Sequence, residues 1–379
     1  MTIYNYLEFL VFSLLLIELA NPHSREKRLV IFYIEAFLLT FVLAFRNYNV
    51  GGDTPRYVDF FLGRGGFYGD IDGNYVSIEW GFVILARILR FISNHWEWFI
   101  FSTSVITLLP FLYYVKKYSS VVSIAFLNFL VCWDLLWLVQ TPLRQDMAIS
   151  LFFVAGCLFI HAQRKNQFFL YALSVLFFIW SLLTHTSMYL VLPMSIFLFF
   201  FKLKRKYAYL LIIGTFFLSY FIRSFASGIF DMFNQITRAY DLFSHMNQYY
   251  DSTEQLYEMN DDFTISAIAP INIFSLLLLK LGAPKESALF NYKCLVIATC
   301  LFNLGITFPL ISRIVLLFSL IGTTYVPLNF YKNAYKDYNL VFFALLIILI
   351  ILELNRHLNA LANFKSELEW DILPYSFWF

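Results

Sequence analysis

Apolar residues run through this chain in long, nearly unbroken stretches, and short polar connections between them carry most of the charge. An α-helix rises 1.5 Å per residue and the hydrocarbon core of a bilayer is about 30 Å thick, so windows of roughly 17 to 25 mostly apolar residues predict crossing helices. Twelve windows qualify: 4–20, 29–45, 97–115, 121–139, 146–162, 168–185, 186–201, 207–223, 263–281, 292–310, 311–330 and 339–354. Helices are required because a backbone amide in lipid has no water to pair with. The first window has no basic region before it and no small-residue cleavage pattern after it, and is expected to stay as a helix.

A further segment, Ser77 to Ser93, is apolar enough to cross but carries Glu79, Arg87 and Arg90 on one side. The expectation is an amphipathic helix at the outer interface, or dipping into the protein with its charged stripe toward a cavity. There is no internal repeat, low-complexity tract or soluble domain. The predicted fold is all-α, a polytopic membrane protein forming a single membrane domain over residues 1–379.

Composition agrees with the pattern. Hydrophobic residues make up 60% of the 379 and charged residues 14%, with a mean hydropathy of +0.68, whereas about a quarter of a soluble domain is charged. A net charge of +2 and the lack of basic runs interleaved with aromatics outside the apolar windows exclude nucleic acid as a partner. Cys132, Cys157, Cys294 and Cys300 lie in or beside apolar stretches without paired spacing, so they are read as packing residues.

The position of the charge is more informative than its sum. Basic residues fall in every second connection: Arg25 to Arg28, Lys116-Lys117, Arg164-Lys165, Lys202 to Lys206, Lys280 with Lys285, and Lys332 with Lys336. By the positive-inside rule these face the cytoplasm. Both termini and the loops 46–96, 140–145 and 224–262 are then outside, as are the junctions at 185/186 and 310/311. The 224–262 loop agrees, with seven carboxylates against the single Arg238.

Ionisable groups in or beside a membrane are costly unless paired, hydrated or functional. They collect at the predicted outer ends of the helices: Arg46, Asp53, Arg56 and Tyr57 around Gly51-Gly52; Glu79, Arg87 and Arg90; Arg144-Gln145-Asp146; His185; and Arg313. Each has a structural reading beside the functional one. Arg46 fits a snorkelling residue at a helix end, Gly51-Gly52-Asp53 fits a turn with Pro55 starting a helix, and His185 fits a satisfied buried imidazole. Lys293 is read as snorkelling. Arg144 resists such a reading, because the macrodipole disfavours a cation at a helix start. Several arginines on one face suit a phosphate or diphosphate, since the planar guanidinium donates two hydrogen bonds and keeps its charge when desolvated.

In order along the chain, Arg46 with Gly51-Gly52-Asp53-Thr54 and Tyr57, Glu79-Trp80-Gly81-Phe82, Leu143-Arg144-Gln145-Asp146-Met147-Ala148, His185-Thr186-Ser187 with Pro193, and Ser312-Arg313-Ile314 resemble the Wzy and EpsG families of bacterial O-antigen and exopolysaccharide polymerases. The likeness covers residues 45–195 well and the C-terminal half mainly in hydropathy.

It implies a C-type glycosyltransferase-like protein of the bacterial cytoplasmic membrane with its active site outside. Such a protein moves a glycan from undecaprenyl diphosphate onto the next lipid-linked repeat unit. The substrate is an undecaprenyl diphosphate-linked oligosaccharide, with a chain-length regulator as partner. No cofactor is expected, and no Asp-any-Asp metal motif stands near these residues, although Asp261-Asp262 leaves room for a divalent ion. Under this resemblance Arg144 and Arg313 hold the diphosphate with Arg46 or Arg56 assisting, and Gln145 and Tyr57 contact substrate. His185, Glu79 and Asp53 are candidates for the base, His185 first because an unperturbed imidazole titrates near pH 6.5. The aromatic residues of the 224–262 loop fit a lid over sugars or an interfacial belt. A lipid-linked oligosaccharide flippase or an O-antigen ligase is the alternative.

Overall fold

A computed structural model of the chain describes residues 3–20, 25–51, 53–65, 78–132, 143–224, 265–281, 289–305 and 309–326. The expected span at 339–354, the 224–262 loop and the basic pair Lys332 and Lys336 lie outside them. Among the described residues the protein is all-α, as expected of a membrane protein. Its helices are α1 (Ile3–Ala20), α2 (Arg25–Ala44), α3 (Thr54–Leu62), α4 (Trp80–Ile92), α5 (Trp96–Tyr118), α6 (Val122–Leu127), α7 (Leu143–Lys165), α8 (Phe168–Thr184), α9 (Met188–Phe200), α10 (Arg205–Ser224), α11 (Ile265–Leu281), α12 (Leu289–Gly305) and α13 (Pro309–Gly322). A π-helical turn, Asn128–Cys132, continues α6. Among the described residues, α5 and the Leu143–Gln163 part of α7 are both long and apolar enough to cross a bilayer, and they pack against each other.

Two differences from the sequence reading have physical causes. The break expected at 310/311 comes earlier, because Pro309 opens α13, where its missing N–H costs no helical bond. The outer stretch 46–96 holds not only α4, the helix expected near 77–93, but also α3 and a core of its own. Tyr57, Phe60 and Phe61 of α3 and Phe82, Leu85 and Leu89 of α4 bury against Phe99 and Ile100 of α5 and Leu143 and Met147 of α7. Helix α4 has 13 residues, about 20 Å of length, well short of the hydrocarbon core.

Side-chain polar groups join the remaining helices. Asn272 of α11 and Asn303 of α12 exchange amide hydrogen bonds of 2.6 and 2.9 Å, and Asn303 also donates to Thr215 Oγ1 of α10 at 3.0 Å. Each such bond between helices contributes about 0.6 kcal/mol in a membrane. Helix α6 begins after Val121, which has no side-chain acceptor for its first amides. The Glu18 carboxylate of α1 supplies one, accepting from Val122 and Ser123 N–H at 2.9 and 3.0 Å. Ser119 donates to Thr324 O at 2.6 Å, tying the ends of α5 and α13. Lys293 does not snorkel: it is buried, and its Nζ donates to Leu198 O near the end of α9 at 2.7 Å, where a cation meets the negative end of the helix dipole. Cys294 and Cys300 are buried free thiols, consistent with packing roles.

Helix α13 packs directly on the backbone of α12 at Gly322, where a methyl group would lie 2.7 Å from Leu295 Cα and 2.8 Å from Leu295 N. Backbone cannot yield there, so Gly322→Ala is expected to destabilise the fold by about 1–3 kcal/mol. Gly156 in α7 has no atom within 4 Å of the same position. Gly156→Ala is expected to raise stability by about 0.5–1 kcal/mol through helix propensity alone. Thermal unfolding in detergent checks both, and equal shifts in the two variants would contradict the packing described.

Candidate functional site

The site grows from the first turn of α7. Arg144 stands at its second residue, where exposed amide groups repel a cation. That cost is met from outside the helix. Arg144 Nη1 is ion-paired with Glu79 Oε2, and Nε donates to the Tyr57 hydroxyl at 3.1 Å. The Tyr57 ring also lies under the guanidinium, 5.7 Å from centroid to Cζ, in cation–π range. The Arg144 and Glu79 side chains are 14% and 22% exposed, so solvent screens the pair only in part. Tyr57 is buried on α3, and Glu79 is the residue preceding α4. Three separated stretches of sequence therefore meet at one guanidinium.

Close packing of α4 on α8 brings His185 to the same region. Trp180 Nε1 donates to Gly81 O at 2.9 Å, and a Cβ at Gly81 would collide at 2.5 to 2.6 Å with Leu183 C and Thr184 N. Only glycine two residues after Glu79 allows this approach. His185 follows the last turn of α8 and is 7% exposed. Ser187 N–H donates to its Nδ1 at 3.1 Å, and Ser187 Oγ lies 2.8 Å from the same atom. An Nδ1 that accepts a backbone N–H carries no proton, which puts the proton of the neutral ring on Nε2.

The other candidates divide. Gly51 takes φ 101° in the turn expected there, Pro55 starts α3, and Asp53 stands at its N-cap. Arg56 Nη1 lies 3.5 Å from Asp53 Oδ1 on the exposed side of α3. Gln145, beside Arg144, is buried. Arg46 does not snorkel: it is wholly buried, and Nη1 donates to Leu43 O at 2.6 Å and to Ser104 Oγ of α5 at 2.8 Å. Arg313 lies in the second turn of α13, and its side chain is outside the described residues. Arg87 is exposed and Arg90 half-buried on α4, so the charged stripe expected there contributes Glu79 to the site and turns Arg87 away from the packed face. Asp146, Ser104, Ser187 and Gly81 were not singled out from the sequence as site residues. Asp146, Gly81 and Ser187 stood in the quoted motifs, whereas nothing local marks Ser104.

The EpsG family model matches residues 29–377, nearly the whole chain. The chain belongs to the EpsG family. No curated protein and no solved structure matches it. Family membership gives this membrane protein a polymerase-type role in exopolysaccharide or O-antigen assembly. The matched span takes in the Arg144, Glu79 and Tyr57 constellation and extends through α13, so the EpsG likeness runs past the N-terminal motifs into the C-terminal half.

Replacing Glu79 with Gln removes the counter-ion from a mostly desolvated arginine at a helix start. The variant is expected to lose about 1–3 kcal/mol of stability, and Glu79→Asp, with a shorter reach, to lose less. Thermal unfolding of the purified protein measures both; a Glu79→Gln protein as stable as wild type would mean that the pair contributes nothing.

Proposed function

We propose that this EpsG-family protein polymerises lipid-linked oligosaccharide repeat units at the outer face of the bacterial cytoplasmic membrane, with Arg144 as the cation that holds the donor's diphosphate. The observation that carries the reading is the arrangement around Arg144. A guanidinium kept charged at an apolar helix start, with a carboxylate and an aromatic hydroxyl as its partners, suits exchange of that carboxylate for a phosphate. Twelve spans, both termini outside, and one membrane domain with outer loops at 46–96 and 224–262 complete the proposed topology.

The reaction balances with few parts. The oxygen of an acceptor sugar hydroxyl attacks the anomeric carbon of the donor glycan and forms the new glycosidic bond. The bond from that carbon to the diphosphate oxygen breaks, and undecaprenyl diphosphate leaves with the electron pair. Arg144 stabilises the charge that gathers on it, assisted by Arg313 and by Arg56 on the exposed side of α3. The hydroxyl proton goes to a base. Of Asp53, Glu79 and His185, the geometry favours Glu79, because a neutral His185 that accepts Ser187 N–H at Nδ1 has Nε2 as a donor. As the diphosphate takes over Arg144, Glu79 loses its counter-ion, and its freed carboxylate takes the proton of the acceptor hydroxyl. His185 then serves as a hydrogen-bond donor to substrate. Gln145 and Tyr57 line the donor site, and the aromatic residues of 224–262 cover the glycan. A chain-length regulator would act on this protein from the same side.

The test is deletion of the gene in its host, with restoration by wild type, Arg144→Ala, Arg144→Lys or His185→Ala at matched protein levels. Wild type is expected to restore the ladder of long surface polysaccharide. Arg144→Ala is expected to leave single repeat units outside the cell, with polymerisation down about 100-fold or more. Arg144→Lys, lacking the planar fork, is expected to stay close to Ala. Lipid-linked units trapped on the cytoplasmic side of the deletion strain would instead identify a flippase. Normal lipid-linked polymer that fails to reach its final acceptor would identify a ligase.

A further inference from the structure

Helix α4 is too short to cross the bilayer, so the two membrane surfaces do not fix its ends as they fix those of a full span. Burial holds one of its faces: Phe82, Leu85 and Leu89 are enclosed, whereas Trp80, Ile84 and Phe91 are exposed. Apolar burial is non-directional and leaves the exact rotation and shift of such a helix weakly specified. Directional bonds to its backbone come from two indoles. Near the start of α4, Trp180 Nε1 of α8 donates to Gly81 O at 2.9 Å. Near its end, Trp98 Nε1 of α5 donates to Leu89 O at 3.1 Å, beside the Ser93 N–H that reaches the same oxygen at 3.1 Å. A carbonyl has two lone pairs, so it takes an indole N–H without leaving its helical bond. Both indoles are half-buried against the core that α3, α4, α5 and α7 share.

The two bonds are alike in chemistry and differ in what lies beside them. Gly81 and Leu89 are eight residues apart, about 12 Å along the helix. Glu79, the partner of Arg144, stands two residues before Gly81, and its own carbonyl accepts Phe82 and Val83 N–H at 3.0 and 3.2 Å. The Trp180 bond therefore lands on the turn that Glu79 opens. On the other side, Trp180 O accepts Thr184 Oγ1 at 2.7 Å, and His185 follows directly. One indole thus ties the turn that carries Glu79 to the turn that carries His185. The Trp98 bond, at the far end of α4, lies beside neither.

We infer that Trp180 is a positioning residue: its indole N–H fixes the first turn of α4 against the last turn of α8, and so sets the aim of Glu79 relative to Arg144 and His185. Trp98 holds the other end of α4 as scaffold. The inference rests on the role of Glu79 as base proposed above.

The probe is the lipid-linked repeat unit extracted from a deletion strain, supplied to the purified full-length chain in proteoliposomes, with thermal unfolding measured on each sample. Trp180→Phe and Trp98→Phe each remove one indole donor and keep an aromatic ring, and each is expected to lower the unfolding temperature by a similar amount, about 2–4 °C. Their kinetics are expected to part. Trp180→Phe is expected to lose about tenfold in kcat through misplacement of Glu79. Its KM is expected to stay within about twofold, because Arg144 on α7 still holds the diphosphate. Trp98→Phe is expected to keep kcat within about twofold. If Trp98→Phe loses as much kcat as Trp180→Phe, both bonds merely hold the fold and the positioning role is wrong. If Trp180→Phe turns over as wild type while Glu79→Gln does not, the positioning role is wrong and the base stands. If Glu79→Gln also turns over as wild type, the base reading fails and takes the positioning role with it. Should Trp180→Phe not fold, benzothienylalanine in place of Trp180 removes the N–H at constant ring size, and an unchanged kcat there overturns the inference.

Discussion

A guanidinium at the start of an apolar helix is doubly unfavourable, since it is drawn out of water and faces the positive end of the helix dipole. In this protein the arrangement at that point of α7 follows from meeting those costs. Arg144 needs an anion and finds Glu79, which stands at the start of α4. Helix α4 must then lie close to α7 and α8, and Gly81 permits the contact with Leu183 and Thr184. Tyr57 needs a short helix, α3, folded over the end of α5, and the aromatic core of Phe60, Phe61, Phe82 and Phe99 supplies it. The surface of the site is thereby tied to buried packing beneath it.

Functionally, an ion pair that is satisfied without substrate and exchangeable with it couples two events. In the proposed reaction, a phosphate ester that displaces Glu79 from Arg144 would secure the leaving group and release a carboxylate in the same step. The histidine, tied through Nδ1 to Ser187, is set to donate. Such a division of roles suits transfer from a diphosphate, which needs charge stabilisation at the leaving group more than a strong nucleophile.

Much of this was legible in the sequence, for physical reasons. Apolar windows near the length of a bilayer crossing identified α1, α2, α5 and α7 to α13 within a few residues, because in lipid the hydrophobic pattern alone decides the element. Asp53, Tyr57, Glu79, Arg144 and His185 stood out because charge and polarity are rare in such a chain. What stayed hidden depends on contacts across sequence. Within 46–96 the helix near 77–93 was legible, whereas the nine-residue α3 showed only its start at Pro55, and its aromatic face needs α5 to make a core. Arg46 looked like a snorkelling end or a phosphate ligand, and only its bonds to Leu43 and to Ser104, 58 residues away, show it enclosed. The tautomer of His185 depends on Ser187 N–H, which no motif records.

The central claim is that this chain by itself joins lipid-linked repeat units, using Arg144 to hold the diphosphate. Purified protein in proteoliposomes, supplied with a synthetic undecaprenyl diphosphate-linked repeat unit and no other protein, tests it most directly. The account predicts a ladder of lipid-linked polymer and one undecaprenyl diphosphate released for each bond formed, with both lost in Arg144→Ala. Movement of intact repeat units across the bilayer without any bond formed, or a ladder undiminished in Arg144→Ala, would contradict it.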